Sequence, residues 1–522
     1  MNPILPGFHP DPSILRVGAE YFIATSTFEW HPGVRLSHSR DLVNWRPVGH
    51  VLQGDALADL RGVDDSAGIW APSLSWSDGH FWLVFTVVVN ARGTFKDLTN
   101  YLTTAPSIDG PWSEPVPLNA SGFDPSLFHD QDGRRWLANV RWDSRPGHPA
   151  FAGIVVQEYD HEQRGLVGPA TTVLRKEVLI EGPNLYRRDG WYYLMLAEGG
   201  TGWEHGISMA RSRSLLGPYE LDPQPAVLTS RQDPGRPLQK AGHGELVETP
   251  EDGWFLVHLA SRPLQTPEGR YCILGRETCL QRVHWNEAGW LRATQGDEAL
   301  VEVPAPEHLP PAPWPVPATT DDFDAPELGP DWATLRGPLE SPWLDLAERP
   351  GWLRLRGQQS LSSRHRQTLV AQRLTSMHCV ASTVLQFSPS TPNQAAGMIA
   401  WYGTEQNYYL QVSGDETLGP CVSILATDDG VTTYAAPPST PVGDWALIHL
   451  RAIFDGPELS FAVSPDGRIW TTVGPSLPAW KLSDDYGSHL RFTGAFTGIC
   501  VQDLDGHAAV ADFGHFTLRP LG

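Results

Sequence analysis

Apolar and polar positions alternate along most of this chain in short runs, broken every few residues by glycine, proline or aspartate. "DPSILRVGAEYFIATS" at Asp11–Ser26 shows the pattern: a polar start, an apolar pair, a glycine turn, then an aromatic and aliphatic run. It returns as "DPSLFHDQDGRRWLANV" from Asp124. Degenerate copies are "APSLSWSDGHFWLVFT" from Ala71, "GPNLYRRDGWYYLMLAEG" from Gly182 and "HGELVETPEDGWFLVHLAS" from His243. Period-two alternation around a tight turn predicts a β-hairpin in each. Five hairpins recurring every roughly 50–60 residues predict radial repetition, a five-bladed β-propeller over residues 1–303. No long stretch with a 3.6-residue period competes with it. The innermost strand of each blade lines the axis, so the five starting positions converge on one funnel.

Seven prolines between Pro304 and Pro317 mark residues 304–320 as a stiff, extended linker. From Asp321 to Gly522 short alternating runs such as "AAGMIAWYG" and "NYYLQVSG" resume without the repeat. They predict a lectin-like, jelly-roll β-sandwich, making the whole chain all-β.

Composition narrows the function. The 522 residues carry 60 acidic against 38 basic side chains, a net charge of −22, without basic clusters. Nucleic acid and anionic membrane surfaces are therefore poor partners. No run approaches the roughly 18 apolar residues of a membrane helix, and the start "MNPILPGFHPDPS" lacks the features of a secretory leader. The five cysteines (Cys272, Cys279, Cys379, Cys421 and Cys500) are scattered and odd in number, which argues against a disulfide framework or a zinc site. Together these predict a cytoplasmic protein. Sheet packing accounts for most of the 21 tryptophans, and any in excess of core needs suit a sugar-binding cleft, since indole faces stack on sugar rings.

The funnel gathers Asp11, Asp124 and His243, with Glu181 immediately before Gly182. Two carboxyl groups flanking a glycosidic bond hydrolyse it: one protonates the leaving oxygen, the other activates water or attacks directly. A third nearby raises the acid's pKa by repulsion. Glu181, on the rigid "EGPNLY" turn among apolar residues, suits the proton donor; Asp11, in the more polar "GFHPDPS", suits the ionised base.

The opening run through "NW", followed in order by "GIWAPSLSW", "FDPSLFHDQDGR", "RWDSRPG", "EGPNLY", "QKAGHGELVE", "GRET" and "RFTGAFTGIC", resembles the β-xylosidases of glycoside hydrolase family 43 over nearly the whole chain. The resemblance implies a propeller with a C-terminal sandwich. It also implies exo-acting hydrolysis of β-1,4-xylo-oligosaccharides from the non-reducing end, with inversion at the anomeric carbon. α-L-Arabinofuranosidase activity is the nearest alternative, and a non-catalytic carbohydrate-binding propeller a distant one. By resemblance, Asp11 matches the general base, Glu181 the general acid and Asp124 the carboxylate that tunes and orients. Arg276 matches a sugar-binding arginine, and Phe28, Trp70 and Trp142 match aromatic walls. Phe496 of "GAFTG" matches a phenylalanine lent by the second domain, with Phe492 close by. His243 is expected to order the carboxylates or contact the sugar, or to ligate a divalent ion such as calcium in the central channel; no cofactor is required for the chemistry. Asn184 and Ser144 stand where the family usually has histidine. Relatives imply a homodimer or homotetramer.

Overall fold

Each repeated phrase folds as the innermost hairpin of a four-stranded antiparallel blade. The computed structural model describes residues 1–54, 59–339, 342–489 and 491–521. Blade 1 runs Ser13–Val17, Glu20–Thr25, Gly33–Ser39 and Arg46–Leu52; blade 2, Gly68–Ser77, His80–Asn90, Asp97–Ala105 and Val116–Asn119. Blade 3 runs Ser126–His129, Arg135–Trp142, Phe151–Asp160 and Gly165–Leu174. Blade 4 runs Ile180–Arg188, Trp191–Glu198, Gly206–Ser212 and Glu220–Leu221, with Leu228–Thr229 added to its third strand. Blade 5 runs Gln239–Thr249, Gly253–Ser261, Glu277–Trp285 and Leu291–Ala293. In blades 1, 2 and 4 a two-residue turn joins the hairpin, and in blades 3 and 5 a longer one; positive φ falls at Gly18, Asp78, Gly79, Gly133, Asp189, Gly190 and Gly253, the glycines and aspartates noted in the sequence. That conformation suits the twist of the flanking strands.

The ring closes through the N-terminal segment. The Asn2 amide donates to the Leu280 and Leu300 carbonyls, both at 2.7 Å, and its oxygen accepts the Leu280 N–H at 2.8 Å. Leu5 pairs with Thr278 of blade 5.

The second domain is a two-sheet β-sandwich, and it does not stand apart from the propeller. One sheet has strand order Trp30–His31, Ala333–Leu335, Thr368–Arg373, Phe496–Asp503, Gln394–Gly403, Gln406–Asp415, Gly419–Asp428 and Val431–Pro441. Its first strand belongs to the propeller: His31 pairs with Thr334 and Trp30 with Leu335. Nothing in the residue pattern announces this shared edge, because two residues are too few to show a period. The proline-rich linker forms no strand between Ala293 and Thr320 and is strapped to the propeller. Ala312 N–H donates to Asp41 at 2.8 Å, and the Arg46 guanidinium lies 4.1 Å above the Trp314 ring. A buried ion pair, Lys240 to Asp485 at 2.6 Å, crosses the seam. Gly275 permits close passage of the two chains, since a Cβ there would lie 2.4 Å from the Thr493 carbonyl oxygen.

Candidate active site

Asp11, Asp124 and His243 stand at the axial ends of blades 1, 3 and 5, each in the left-handed region with φ of 52°, 52° and 34°. Side chains rarely adopt this conformation, although Asp and His tolerate it better than most. It turns the residue before or at the strand inward to the axis, and strain of this kind collects at functional sites. Gly182 on blade 4 has φ of 55°, and a Cβ there would lie 2.8 Å from His243 Nε2. Glycine is therefore required beside Glu181 both for backbone shape and to admit the imidazole.

The three carboxyl groups and His243 share the base of a cavity of about 220 Å³. That is smaller than the ~300 Å³ lower bound typical of drug-sized ligands, so it suits one small ring rather than a polymer. Arg276 Nη1 donates to Asp11 Oδ1 at 2.7 Å, Ser26 Oγ to Asp11 Oδ2 at 2.6 Å, and His243 Nδ1 lies 3.4 Å from Asp11 Oδ1. Burial opposes the Asp11 charge, but Arg276, His243 and Ser26 outweigh it and hold the carboxyl well below its usual range. Asp124 is pushed up, first by burial and then by the Asp11 charge. Glu181 is pushed up by burial and by the Asp124 charge, with Asp11 adding to it. Burial disfavours the His243 cation, yet the surrounding carboxylates raise it to about 9. The site thus holds one firmly ionised carboxylate beside a carboxyl pair that keeps a proton near neutral pH.

Aromatic rings wall the cavity. Phe28 and Phe492 stack at 5.9 Å, Trp70 meets Phe492 edge-on at 5.5 Å, and Trp70 meets Phe123 at 5.2 Å. Trp142 packs on Phe151 at 5.3 Å, with Lys96 Nζ 4.7 Å above the Trp142 ring. Arg276 faces Phe28 and Phe492 at 5.3 and 5.7 Å, and its Nη2 donates to the Phe492 carbonyl at 3.0 Å. A wider space of about 370 Å³ at the domain seam shares Trp70, Lys96 and Phe492 with the first.

A family profile for glycosyl hydrolases family 43 matches residues 1–291. The chain belongs to glycoside hydrolase family 43. A second profile, for the beta xylosidase C-terminal Concanavalin A-like domain, matches residues 320–519. The family 43 chain is 44% identical to "Xylosidase/arabinosidase 43B" of Humicola insolens, over 100% of this chain and 97% of that one. It is 42% identical to the "Beta-xylosidase" of Bacillus subtilis, over 99% of both chains. The crystal structure of xylan beta-1,4-xylosidase from Bacillus Halodurans C-125 superposes with a TM-score of 0.97 at 48% identity, covering 99% of each chain.

In this glycoside hydrolase the structure gathers Asp11, Asp124, Glu181, His243, Arg276, Phe28, Trp70 and Trp142 around one cavity. Phe496 is corrected. It is 0% exposed, on a central sandwich strand, stacked on Trp30 at 3.8 Å. Phe492, in the loop before that strand, is the ring that reaches the cavity. Two neighbouring phenylalanines flank the same glycine turn, and only the start of the strand separates core from pocket. Lys96, Phe123, Phe151, Thr201 and His205 also line the cavity and had no local signal, although Phe123 directly precedes Asp124. His205 is buried, which lowers its pKa to about 3, so its ring is neutral.

A divalent ion in the central channel would find few side-chain ligands at His243. His243 Nδ1 faces Asp11 and its Nε2 lies over Gly182. Among the described residues no three His, Cys, Asp or Glu side chains gather as metal ligands. Asn184, at the usual histidine position, donates to the Gly244 carbonyl at 3.2 Å. Among the described residues no helix is long and apolar enough to cross a membrane.

Proposed function

We propose that this enzyme is an exo-acting β-1,4-xylosidase that removes xylose from the non-reducing end of xylo-oligosaccharides, with inversion. The reading is carried by the opposed states of the carboxyl groups in a ring-walled cavity. Asp11, held ionised by Arg276, His243 and Ser26, is the general base that takes a proton from the attacking water. Glu181, whose carboxyl is held protonated by burial and by Asp124, is the general acid that protonates the leaving oxygen. Asp124 keeps that proton in place and orients the sugar. His243 binds Asp11 and completes the charge balance, and Arg276 reaches both Asp11 and the sugar space. One xylose ring occupies the inner cavity, and the leaving saccharide extends into the space at the domain seam.

Following xylobiose hydrolysis by proton NMR tests the assignment. α-Xylose released first from the non-reducing unit is expected; β-xylose first would refute inversion. Glu181→Gln is expected to lower kcat on xylobiose by about 10²–10⁴-fold, and undiminished turnover would remove Glu181 from its role. The name of the Humicola relative favours a second reading, in which α-L-arabinofuranosides enter the same pocket. Relative rates on the two nitrophenyl pentosides decide it, and a faster arabinofuranoside would reverse the order.

A further inference from the structure

The second domain reaches the sugar cavity through a short propeller loop, Val63–Ser66, that lies just before blade 2. Arg336 of the sandwich is 0% exposed. Its Nε donates to the Val63 carbonyl at 2.8 Å, its Nη2 pairs with Asp65, and its Nη1 donates to Gln367 at 3.2 Å. Asp65 Oδ2 also accepts from the Thr404 N–H and hydroxyl, at 2.7 and 2.6 Å. The loop is therefore clamped by the sandwich from the residues that follow two of its strands, Ala333–Leu335 and Gln394–Gly403.

Ser66 ends this loop and spends each of its polar groups on the pocket wall. Its N–H donates to Glu29 Oε2 at 2.9 Å, next in sequence to Phe28. Its carbonyl accepts the Trp70 indole N–H at 3.1 Å. Its hydroxyl oxygen accepts the Phe492 N–H at 3.1 Å. Its φ of 62° is what lets the three groups diverge. On the other side of Phe492, the carbonyl is held by Arg276, which binds Asp11. Glu29 is itself fully buried, and its backbone carbonyl accepts the Arg336 N–H at 2.8 Å, so the loop and the strand carrying Phe28 are tied to the same sandwich residue.

We infer that Ser66 is a positioning residue for substrate binding: it registers the sandwich's Phe492 against Trp70 and Phe28 of the propeller, so that docking of the second domain sets the width of the sugar cavity. Ser66 borders the space at the domain seam but not the inner cavity, and it acts on the inner cavity through the rings it holds. The inference rests on the β-xylosidase reading.

Ser66→Gly isolates the effect, because glycine keeps the left-handed backbone and both main-chain bonds and deletes only the acceptor for Phe492. Loss of one hydrogen bond predicts a KM for nitrophenyl β-xyloside and a xylose inhibition constant each raised about fivefold, with kcat within twofold and the pH limbs unmoved. In a Phe492→Ala background the same substitution is expected to leave KM unchanged, since the ring to be placed is gone. Equal KM penalties in both backgrounds, or an unchanged KM in the single variant, would overturn the inference. Should Ser66→Gly fail to fold, Thr404→Val loosens Asp65 from the sandwich side and must show the same KM signature, or the inference fails. Wild-type protein that hydrolyses no xyloside would instead overturn the xylosidase reading.

Discussion

Asp11 and Asp124 occupy equivalent corners of blades 1 and 3, begin the same Asp-Pro-Ser tripeptide and share a φ of 52°. Their chemistry is opposite. Asp11 receives a guanidinium, a hydroxyl and an imidazole, and is held ionised. Among the described residues Asp124 is in no ion pair at contact distance; it is buried and faces the Asp11 charge, and despite the more distant His243 and Arg276 cations it is pushed up. The blade supplies position alone, and the residues that other blades bring to the axis decide what each carboxyl does. A repeat fold can thus reuse one corner for two tasks without altering the corner.

The largest test of this contrast is Asp11→Asn, which is expected to cost about 10²–10⁴-fold in kcat on xylobiose, as loss of a general base does. A loss confined to KM would mean that Asp11 serves only in binding. Next is Arg276→Leu. Asp11 works ionised, so activity falls as pH drops through its pKa, now below the usual range. Without the cation that pKa rises, and the acid limb of kcat/KM is expected to move up by about 1–3 pH units. An unmoved limb would show that His243 and Ser26 alone separate the two aspartates. Asp124→Asn acts on the other side. Glu181 works protonated, and activity falls as pH rises through its raised pKa. Removing the Asp124 charge lowers that pKa and moves the alkaline limb of kcat to lower pH by about one unit. The smallest effect is expected from Phe492→Ala, a KM increase of about five- to tenfold from one lost aromatic wall. A kcat effect of the same size would place that ring in the transition state.

The corners themselves were legible because a propeller repeats, and repetition converts five weak local phrases into one spatial prediction. Asp11, Asp124, Glu181 and His243 were found that way, as was the all-β course of the chain. Asp-Pro-Ser says nothing of which corner Arg276 will face, since that depends on the turn where blade 5 passes the sandwich at Gly275; its place came from the family resemblance. Lys96 and Thr201 come from loops between strands, where no periodicity constrains the side chain. Phe492 and Phe496 have equal local claims, and burial at the domain seam, a tertiary property, separates them. The strand Trp30–His31 was missed because its partner lies about 300 residues away and its pairing leaves no trace in alternation.

The shared edge at Trp30–His31 and the tether Ser66–Phe492–Arg276 have a consequence for the order in which the protein becomes competent. Synthesis delivers Asp11, Asp124, Glu181, His243 and Arg276 with the propeller, and domains emerging first begin to fold first. At that stage the charged groups are in hand, but the ring that closes the cavity is still untranslated, and Trp30–His31 is an unpaired edge waiting for Ala333–Leu335. The sugar site is therefore finished only when the ribosome has passed Phe492. A ribosome-stalled propeller would carry the acid and base without the enclosure in which they work.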